Sequence, residues 1–502
     1  MSTSTDIQDA MEFRNLTPFP TLAFQGIDQY DHEFHVVVLR QTLTWGDEGV
    51  LTYADEQAPL CEVDEYFGAM NKSSVRQESD LCHYKPKCDV IVNATVHVPA
   101  GKMPRQCNIR LVVRRPDSEA PIPEKPRGLN PFVAPDEARL EEWRAQTERA
   151  RLNPIRGSCL IDKTLVVTGE RYLVRHIWPV RAVASLLRIA TLGLFKVPTW
   201  RLTSALPFSQ LPLRSEYAFG GECRINLAER AAKRVRKKDR LNAADAGIEM
   251  NTVSQSDDYP IALCAFEANA VGCGYAVPWF LRARRINRMS APRIETADRP
   301  FTAAQFHSLG KVNHEYEPGV LTTAGLGIRA KVHPHRRRLG GTIDKKFIDG
   351  NAALPDDFDF NVWNAAPVDQ QTEFLCGDEI IELINLCAPG SPGAKQDRAG
   401  NASLRLQLPG HTGVLLMRMH NGSMFFDAMK IDTLIIEPEQ RIVNVVWRAV
   451  FKKAAGIRAV DLRIHRDMEA NYFNQALASH DNFAWTNMPE SEQRDTAKEP
   501  HG

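Results

Sequence analysis

Short runs in which apolar and polar residues alternate constrain the fold of this chain more than any other feature. Cys88–Val98 places small apolar side chains at every second position from 90 to 98 and mostly polar ones between them. This period of two is typical of a half-buried strand. Asn108–Val113 follows a proline-containing turn and is predicted to run back as its neighbour. Phe34–Leu43 is a second β-branched strand, with Val50–Tyr53 as its predicted hairpin mate.

The same pattern continues to the C-terminal part of the chain. Cys159–Val174 predicts two short strands broken at Gly169. Four further runs predict a meander with short links, namely Leu415–Met419, Met424–Phe426, Ile431–Glu437 and Arg441–Phe451. We therefore predict a mainly β protein of packed antiparallel sheets, like a β-sandwich, with peripheral helical insertions.

The stretch Leu339–Gln371 is dense in residues that favour turns. Its glycines reach backbone angles that other residues avoid, and its prolines fix theirs. Between these turns Phe358, Phe360 and Val362 alternate with Asp357, Asp359 and Asn361, which predicts a short half-buried strand. The stretch contains no nucleophile beside a base, no metal-spaced ligand set and no phosphate loop, so we interpret it as architectural.

Composition changes along the chain predict its organisation. Residues 13–390 are predicted to form a β-rich body that carries insertions at 115–153 and 223–260. Residues 400–466 would then be a C-terminal meander packed on this body, and 1–12 and 488–502 are predicted to be disordered because they are polar and aperiodic. The first insertion begins with many prolines and ends in a predicted surface helix over 136–152, which has acids early and arginines late.

A second helix is predicted over Val180–Val197. It carries Arg181, Arg188 and Lys196, so we predict no membrane span there. Its spacing predicts an amphipathic helix whose apolar side chains pack against the core or, less favoured, a partner groove; these are Val183, Leu186, Leu187, Ala190 and Leu194.

Charge and cysteine content narrow the functional classes. The 62 basic and 62 acidic residues cancel, so no overall field draws the protein to nucleic acid or an anionic membrane. Neither a secretory signal nor a CxxC pair is visible, which predicts a cytoplasmic protein with reduced, often buried thiols. Ala228–Arg240 is a basic run without aromatic residues; a solvated surface helix is favoured there over an acidic protein partner or nucleic acid.

Two constellations bear on catalysis. His333 and His335 are two residues apart and could share a metal with Asp344 from one side of a strand, which would suit a metal-dependent hydrolase. Pro334 and three consecutive arginines weigh against that alternative. The glycine pairs at 272/274 and 325/327 do not match a dinucleotide loop. We expect no cofactor and no enzymatic activity.

The order of several motifs resembles a bacterial family catalogued as domain of unknown function two-one-six-nine. The resemblance runs from about Phe13 to Arg466, interrupted by the insertions. It rests on these segments: Pro18–Pro20, Asp89–Ala94, DKTLVVTGER at 162–171, LPLRSEYAFGG at 211–221, GGTIDKKF, LPDDFDF and NAAPVDQQ within 340–371, Gly377, 379–386, and DTLIIEPEQRIVNVVWR at 432–448. The chain departs from the family's AGTxDxxW pattern at Gly340 and Phe347.

This resemblance implies an adaptor chaperone for type VI secretion, which binds a newly made toxin effector and delivers it to the VgrG and PAAR components of the spike. It also marks residues with a structural or partner-binding role. These are Asp162, Lys163, Gly169, Phe219, Gly220, Gly221, Gly341, Thr342, Asp344, Pro355, Phe358, Asp359, Phe360, Asn364, Ala365, Pro367, Asp369 and Gln370. For the acids and amides among them, stabilising turns is favoured over touching cargo.

Overall fold

The structure is a computed structural model. It describes residues 11–68, 70, 73–118, 123–126, 136–152, 155–176, 178–191, 200–218, 224–225, 263–264, 288–298, 300–303, 325–329, 331, 334–350, 353–453 and 456–466.

Strands dominate this part of the chain. In chain order they are β1 (Glu12–Asn15), β2 (Thr21–Ile27), β3 (Glu33–Trp45), β4 (Leu51–Tyr53), β5 (Glu65–Tyr66), β6 (Val75–Gln77), β7 (Cys88–Val92), β8 (Thr95–His97), β9 (Gln106–Arg114), β10 (Cys159–Thr168), β11 (Tyr172–Arg175), β12 (Trp200–Leu202), β13 (Gln210–Pro212), β14 (Arg224–Ile225), β15 (Leu263–Cys264), β16 (Arg288–Ser290), β17 (Ile294–Thr296), β18 (Gln371–Thr372), β19 (Ile380–Ile384), β20 (Ala394–Gln396), β21 (Ala402–Gln407), β22 (His411–Met419), β23 (Met424–Ala428), β24 (Lys430–Glu437), β25 (Ile442–Lys452) and β26 (Ile457–Arg466). The described α-helices are α1 (Glu137–Leu152), α2 (Trp178–Ala190), α3 (Pro334–Leu339) and α4 (Lys345–Gly350).

The largest sheet has seven strands, in the order β18-β7-β24-β25-β3-β2, with β4 also paired to β3. β7 and β24 are parallel, and the other neighbours are antiparallel. The predicted hairpin of β3 and β4 is confirmed. The run Cys88–Val98, predicted as one strand, is divided into β7 and β8, which lie in different sheets. Its predicted pairing with Asn108–Val113 is also wrong, because β7 pairs with β18 and β24, β8 pairs with β13, and β9 lies in another sheet.

The second sheet has six antiparallel strands, in the order β17-β10-β9-β19-β21-β20. One hydrophobic core joins it to the seven-stranded sheet, with Leu39 and Val90 from the large sheet and Leu111, Leu165 and Leu383 from the smaller one. Burying such side chains stabilises a fold by about 1.5–3 kcal/mol each. The prediction of a mainly β protein with packed sheets is confirmed, although two strand pairs are parallel rather than antiparallel.

A third sheet, β1-β26-β22-β23, contributes Leu415 and Leu462 to the same core. The four runs predicted as a C-terminal meander are all strands. They do not form one sheet, however, because β22 and β23 belong to this third sheet while β24 and β25 lie at the centre of the seven-stranded one. The smaller sheets are β12-β11-β16, β13-β8, β14-β15 and β5-β6.

The first insertion contains the predicted surface helix, as α1, and most of its described side chains are exposed. The second predicted helix forms as α2 but does not pack as expected. Val183, Leu186 and Leu187 are exposed rather than buried in the core, and Leu194 lies outside the described residues. The apolar stripe is present in the sequence, but the core is already filled by strands. No described helix combines the length and the apolar character needed to cross a bilayer.

Two local predictions are also corrected. Glu12, predicted to be disordered, pairs with Ala459 in the third sheet. Phe358–Val362 is not a strand, because Phe360–Trp363 forms a 3-10 helix. The Asp359 carboxylate accepts a hydrogen bond from the Asn361 N–H at 2.8 Å and caps that helix, so local turn chemistry overrides the alternation. The basic run at 228–240 and the tail at 488–502 lie outside the described residues.

Candidate partner-binding face and its buried anchor

The two faces of the seven-stranded sheet differ in chemistry. One face is the apolar core described above. The other face carries buried charged side chains, including Arg40 on β3, Arg448 on β25 and Asp89 on β7. Loops cover this second face. We call the part of the chain between α3 and β18 (residues 340–370) the covering segment. Its Phe360, Ala365 and Ala366 make apolar contacts with the sheet.

Asp89 is the centre of a buried polar network on this face. Its side chain is fully buried and accepts hydrogen bonds from the backbone N–H groups of Ala365, at 2.8 Å, and Ala366, at 3.2 Å. It also accepts from the Asn364 amide at 3.2 Å and from the Lys85 ammonium at 3.0 Å. The carboxylate therefore fixes three consecutive residues of the covering segment to strand β7.

Lys85 connects this network to the next strands of the sheet. Its ammonium donates to Thr433 Oγ1 at 2.7 Å, and the Thr433 hydroxyl donates to Asp432 at 2.9 Å. Asp432 in turn pairs with Arg448 at 2.5 Å. Burial lowers the pKa of Lys85, but its negative neighbours, Asp89 first and also Asp432, together outweigh burial and raise that pKa above its ordinary value. Lys85 is therefore held as a cation.

Gln370 forms a second attachment between the covering segment and the sheet. Its amide nitrogen donates to the carbonyl oxygens of Val90, at 2.8 Å, and Leu326, at 2.9 Å, and its amide oxygen accepts from Lys163 at 2.8 Å. The ammonium of Lys163, on β10, also contacts the exposed carboxylate of Asp369 at 2.8 Å. We call Asp89, Lys85, Asn364, Gln370 and Lys163 the anchor network.

Lys163 is the electrostatically unusual member of the anchor network. Burial lowers its pKa to about 8, even though Asp369 acts in the opposite direction. Lowered lysine pKa values occur at functional sites and also at structural ion pairs. Both hydrogen bonds of the Lys163 ammonium go to the NAAPVDQQ segment (364–371), which favours the structural interpretation.

Helix α3 is fixed to the same segment through Arg336. Its guanidinium is fully buried and forms a bidentate ion pair with Glu78, at 2.5 and 2.6 Å. It also donates to the carbonyl oxygens of Val362, at 2.6 Å, and Arg329, at 2.7 Å. A buried bidentate pair with additional backbone acceptors is geometrically specific, so it defines where α3 lies.

The segment that follows α3 emerges at the surface. We define residues 341–350 as the marker loop because they contain GTIDKKF. Gly341 has φ +79°, and a Cβ there would lie 2.7 Å from Pro355. Thr342 donates from its backbone N–H and its hydroxyl to Asp357, both at 2.7 Å, and these bonds lower the pKa of Asp357. The Asp344 carboxylate accepts from the Phe347 N–H at 2.9 Å and caps α4.

The marker loop presents apolar side chains to solvent. Ile343 is 72% exposed and Ile348 is 63% exposed, on either side of the first turn of α4. Single exposed apolar residues are ordinary on a protein surface. Ile343 and Ile348 differ from such scattered residues in that Gly341, Thr342 and Asp344 of the same loop are engaged in local contacts, which hold the backbone that carries the two isoleucines.

Aromatic residues stabilise the middle of the covering segment. Phe358 and Phe360 form an edge-to-face pair with ring centroids 5.3 Å apart, and Tyr84 contacts Phe360 in the same way at 5.7 Å. The Pro355 carbonyl accepts from the Phe358 N–H at 3.0 Å, and the Pro367 carbonyl accepts from the Gln370 N–H at 2.8 Å. These prolines therefore lie in turns that position the buried residues.

The remaining predicted residues lie apart from this face or beyond the description. Asp162 is on the exposed face of β10, where it forms a bidentate pair with Arg110 at 2.6 and 2.7 Å that lowers the pKa of Asp162. A Cβ at Gly169 would overlap the Leu206 carbonyl oxygen, so that position requires glycine. Phe219, Gly220 and Gly221 lie outside the described residues.

Only two of the three residues of the alternative metal site, His335 and Asp344, are among the described residues. His333 lies outside the described residues, and His335 is in α3 rather than in a strand, because the helix begins at Pro334. Asp344 caps α4. Within the ranges that the structure covers, no three His, Cys, Asp or Glu residues are grouped so that they could hold a metal ion.

Sequence reasoning missed the residues that organise this face. Asp89, Asp432 and Arg448 lie within the quoted motifs but carry no individual prediction, and Lys85 and Arg336 lie outside those motifs. For Asp89, Asp432 and Arg448 the signal is a charged residue inside an otherwise β-branched strand such as CDVIV, since a charge is buried there only when it is paired. Lys85 and Arg336 lie outside strands and lack that signal. The pairing partner is distant in sequence, so its identity is not visible locally.

Comparison with known protein families gives one match. The model of the family described as "Uncharacterized protein conserved in bacteria (DUF2169)" matches residues 31–122 and 132–448, which is more than half of the chain. The gap between the matched ranges falls within the first insertion. Searches of curated proteins and of solved structures found no match.

Proposed function

The chain belongs to the bacterial DUF2169 family, and from that premise we propose that it is an adaptor chaperone for a type VI secretion effector. In this proposal it binds a newly made toxin in the cytoplasm and helps to load it onto the VgrG and PAAR spike. It acts by binding rather than by catalysis. The structural observation that supports the proposal most is the marker loop, which exposes Ile343 and Ile348 while the anchor network fixes the rest of its segment.

Some motif residues are buried and others are exposed, and this difference supports separate anchoring and partner-binding roles. Asn364, Ala365 and Gln370 are buried against β7, so their role is to fix the segment. Ile343 and Asp369 lie at the surface and are available to a partner. A rigidly anchored loop loses little conformational freedom on binding, so more of its contact energy contributes to affinity.

Co-purification tests the proposal directly. The chain is co-expressed with the toxin encoded beside it, and the wild type is expected to retain the toxin. The double variant Ile343→Asp, Ile348→Asp introduces two charges into the proposed contact and is expected to lose it. Val50→Asp is the matched control, because Val50 is 61% exposed and lies between β3 and β4, at the end of β3 opposite to the residues that contact Phe360.

Two further variants separate lost folding from lost binding. Asp369→Asn removes the exposed charge but keeps a side-chain oxygen that can accept from Lys163, whereas Gln370→Ala removes a buried amide that bonds to two carbonyl oxygens. The first is expected to keep the wild-type melting temperature, and the second to lower it. If the double isoleucine variant is fully folded and retains the toxin as well as Val50→Asp does, the marker loop is not the contact surface.

A further inference from the structure

Strand β2 forms one edge of the seven-stranded sheet and carries no charged residue. Its sequence is TLAFQGI, in which Leu22 is 41% exposed and Gln25 is also exposed. The strand lies at the end of the strand order, so within the described ranges its outer side has no neighbouring strand. An exposed edge of this kind pairs readily with another strand unless charge, proline or a bulge protects it.

The hydrogen bonds that flank β2 show which of its residues direct their backbone groups outward. The Arg40 N–H donates to the Pro20 carbonyl at 3.0 Å, and the Asp28 N–H donates to the His32 carbonyl at 3.1 Å. In this antiparallel register the even-numbered residues of β2 therefore bond to β3, and the odd-numbered ones direct their N–H and C=O groups outward. Among the described residues, these outward groups have no hydrogen-bond partner at Thr21, Ala23 and Gln25.

Other sheet edges carry more protection than β2. At the edge of the four-stranded sheet, β1 presents Glu12 and Arg14, which pair with each other at 2.8 Å. β20, at the edge of the six-stranded sheet, is only three residues long. Beside β2, Lys453 and Glu33 lie at the Gln25 end but form an ion pair, so they add little net charge to the edge.

Apolar side chains border the edge on the side of the covering segment. Phe24 of β2 and Leu354 and Phe358 of the covering segment are half-buried, and all three pack against the buried cluster that contains Phe360. Leu22 lies two residues before Phe24, so its side chain is on the same face of the sheet. A strand added at this edge would direct every second side chain to this apolar strip, and apolar residues suit those positions.

We propose that the edge of β2 at Thr21–Gln25 binds an extended segment of the toxin, with apolar residues at alternate positions, as an added strand of the seven-stranded sheet. The identity of the partner rests on the proposed function. Continuity with the marker loop supports this partner, because Gly341 of that loop packs against Pro355, which directly follows Leu354 of the apolar strip. One bound protein can therefore contact both the edge and the marker loop.

Sterics favour an extended segment over β2 of a second copy of this chain. Ile27 is odd-numbered, so its carbonyl also points outward, and the half-buried His83 forms a hydrogen bond with the Ile27 backbone and closes that end of the edge. Two copies paired across a twofold axis at Ala23 would use all three open residues but would place Phe19 of the second copy opposite Ile27, where His83 lies. A segment that ends opposite Gln25 avoids this contact.

Retention of the toxin by edge variants tests the pairing. The full chain is co-expressed with the toxin encoded beside it. Gln25→Pro removes one outward N–H and is expected to weaken binding about tenfold, whereas Gln25→Ala removes the same side chain but keeps that N–H and should bind like the wild type. Because this N–H has no partner in the described chain, the two variants should have the same melting temperature. Leu22→Lys, which adds a charge to the apolar strip, should also weaken binding, and Leu22→Met should not.

Hydrogen exchange of the wild-type complex locates the contact. Residues 21–27 should exchange more slowly with toxin bound, and β20, as the control edge, should not change. Unchanged exchange at 21–27, or folded Gln25→Pro and Leu22→Lys variants that retain the toxin as well as Gln25→Ala does, would overturn the pairing and leave the adaptor function intact. A wild type that retains no toxin would contradict the adaptor function and this partner with it. A dimer of the wild type alone, seen by light scattering and dissociated by Gln25→Pro, would assign the edge to a second copy instead.

Discussion

The two faces of the seven-stranded sheet are buried to a similar degree but are stabilised by different interactions. The apolar face packs Leu39, Val90 and Leu434 against the six-stranded sheet through contacts that are non-directional. The opposite face places Asp89, Lys85 and their partners in hydrogen bonds with fixed geometry. An apolar core accepts several side chains of similar volume, whereas a buried ion pair does not tolerate the loss of one partner alone. The polar face therefore specifies where the covering segment lies.

The largest effect is expected at the centre of the polar face. Asp89→Asn keeps the shape but removes the charge that offsets Lys85, which would leave a buried, uncompensated ammonium group. Breaking a buried pair in this way costs about 3–5 kcal/mol of the free energy of unfolding. Urea denaturation measures this loss in the free energy of unfolding. The double variant Asp89→Asn, Lys85→Met is the control and is expected to recover much of the loss, since neither charge remains and the amide oxygen can still accept from the covering segment.

The protonation of Lys163 is expected to change the free energy of unfolding by about 3 kcal/mol, which is the second largest effect. Its folded-state pKa is about 8 and its ordinary value is 10.5. The unfolded chain therefore binds this proton more tightly, so the contribution of Lys163 to the free energy of unfolding rises between pH 8 and 10.5. Below pH 8 the cost of burying the charge is fully present.

Other groups titrate in the same range, so the Lys163 effect must be measured as a difference. Burial raises the pKa of Cys107 to about 11, and that thiol lowers stability above pH 9. We therefore expect the free energy of unfolding of the wild type minus that of Lys163→Met to increase from pH 8 to 10.5. A difference that is constant or falls with pH would show that Lys163 is not buried as a cation.

A smaller effect is expected on the apolar face. Leu434→Met conserves side-chain volume within the core and is expected to cost less than about 1.5 kcal/mol. Measured by the same urea denaturation, this value should be clearly below that of Asp89→Asn. Equal losses at the two positions would remove the contrast between the faces.

The smallest effect is expected outside both faces. Arg110→Ala removes the half-exposed partner of Asp162 on the six-stranded sheet, and exposed pairs contribute about 0–1 kcal/mol. The loss should decrease further at 1 M salt, because exposed charges are screened. A loss above about 2 kcal/mol would indicate that this motif residue has a structural role beyond the surface pair.

The sequence predicts the strands better than their partners. Phe34–Leu43 and the two strands around Gly169 are recognised because alternation is a local property. The pairing of β7 with β24 is not recognised, because these strands are more than 300 residues apart and nothing local encodes their register. The residues around Phe358 alternate as in a strand, but Asp359 caps a 3-10 helix there instead.

The candidate site was predicted as a set of residues but not as an arrangement. The motif spacing identifies Asn364, Asp369 and Gln370. Their partners are distant in sequence, because Asp89 lies on β7 and Lys163 on β10. The exposure of Ile343 and Ile348 is not predicted either, because the pattern of so short a segment is compatible with both a buried and an exposed position.

Secretion of the neighbouring toxin tests the central claim most directly. In a strain that lacks this chain, the level of the toxin in cells and in the medium is measured after complementation with the wild type, the double variant Ile343→Asp, Ile348→Asp, or Val50→Asp. Wild type and Val50→Asp should restore both levels, and the double variant should restore neither. Unchanged toxin level and secretion in the uncomplemented strain would contradict the adaptor function itself.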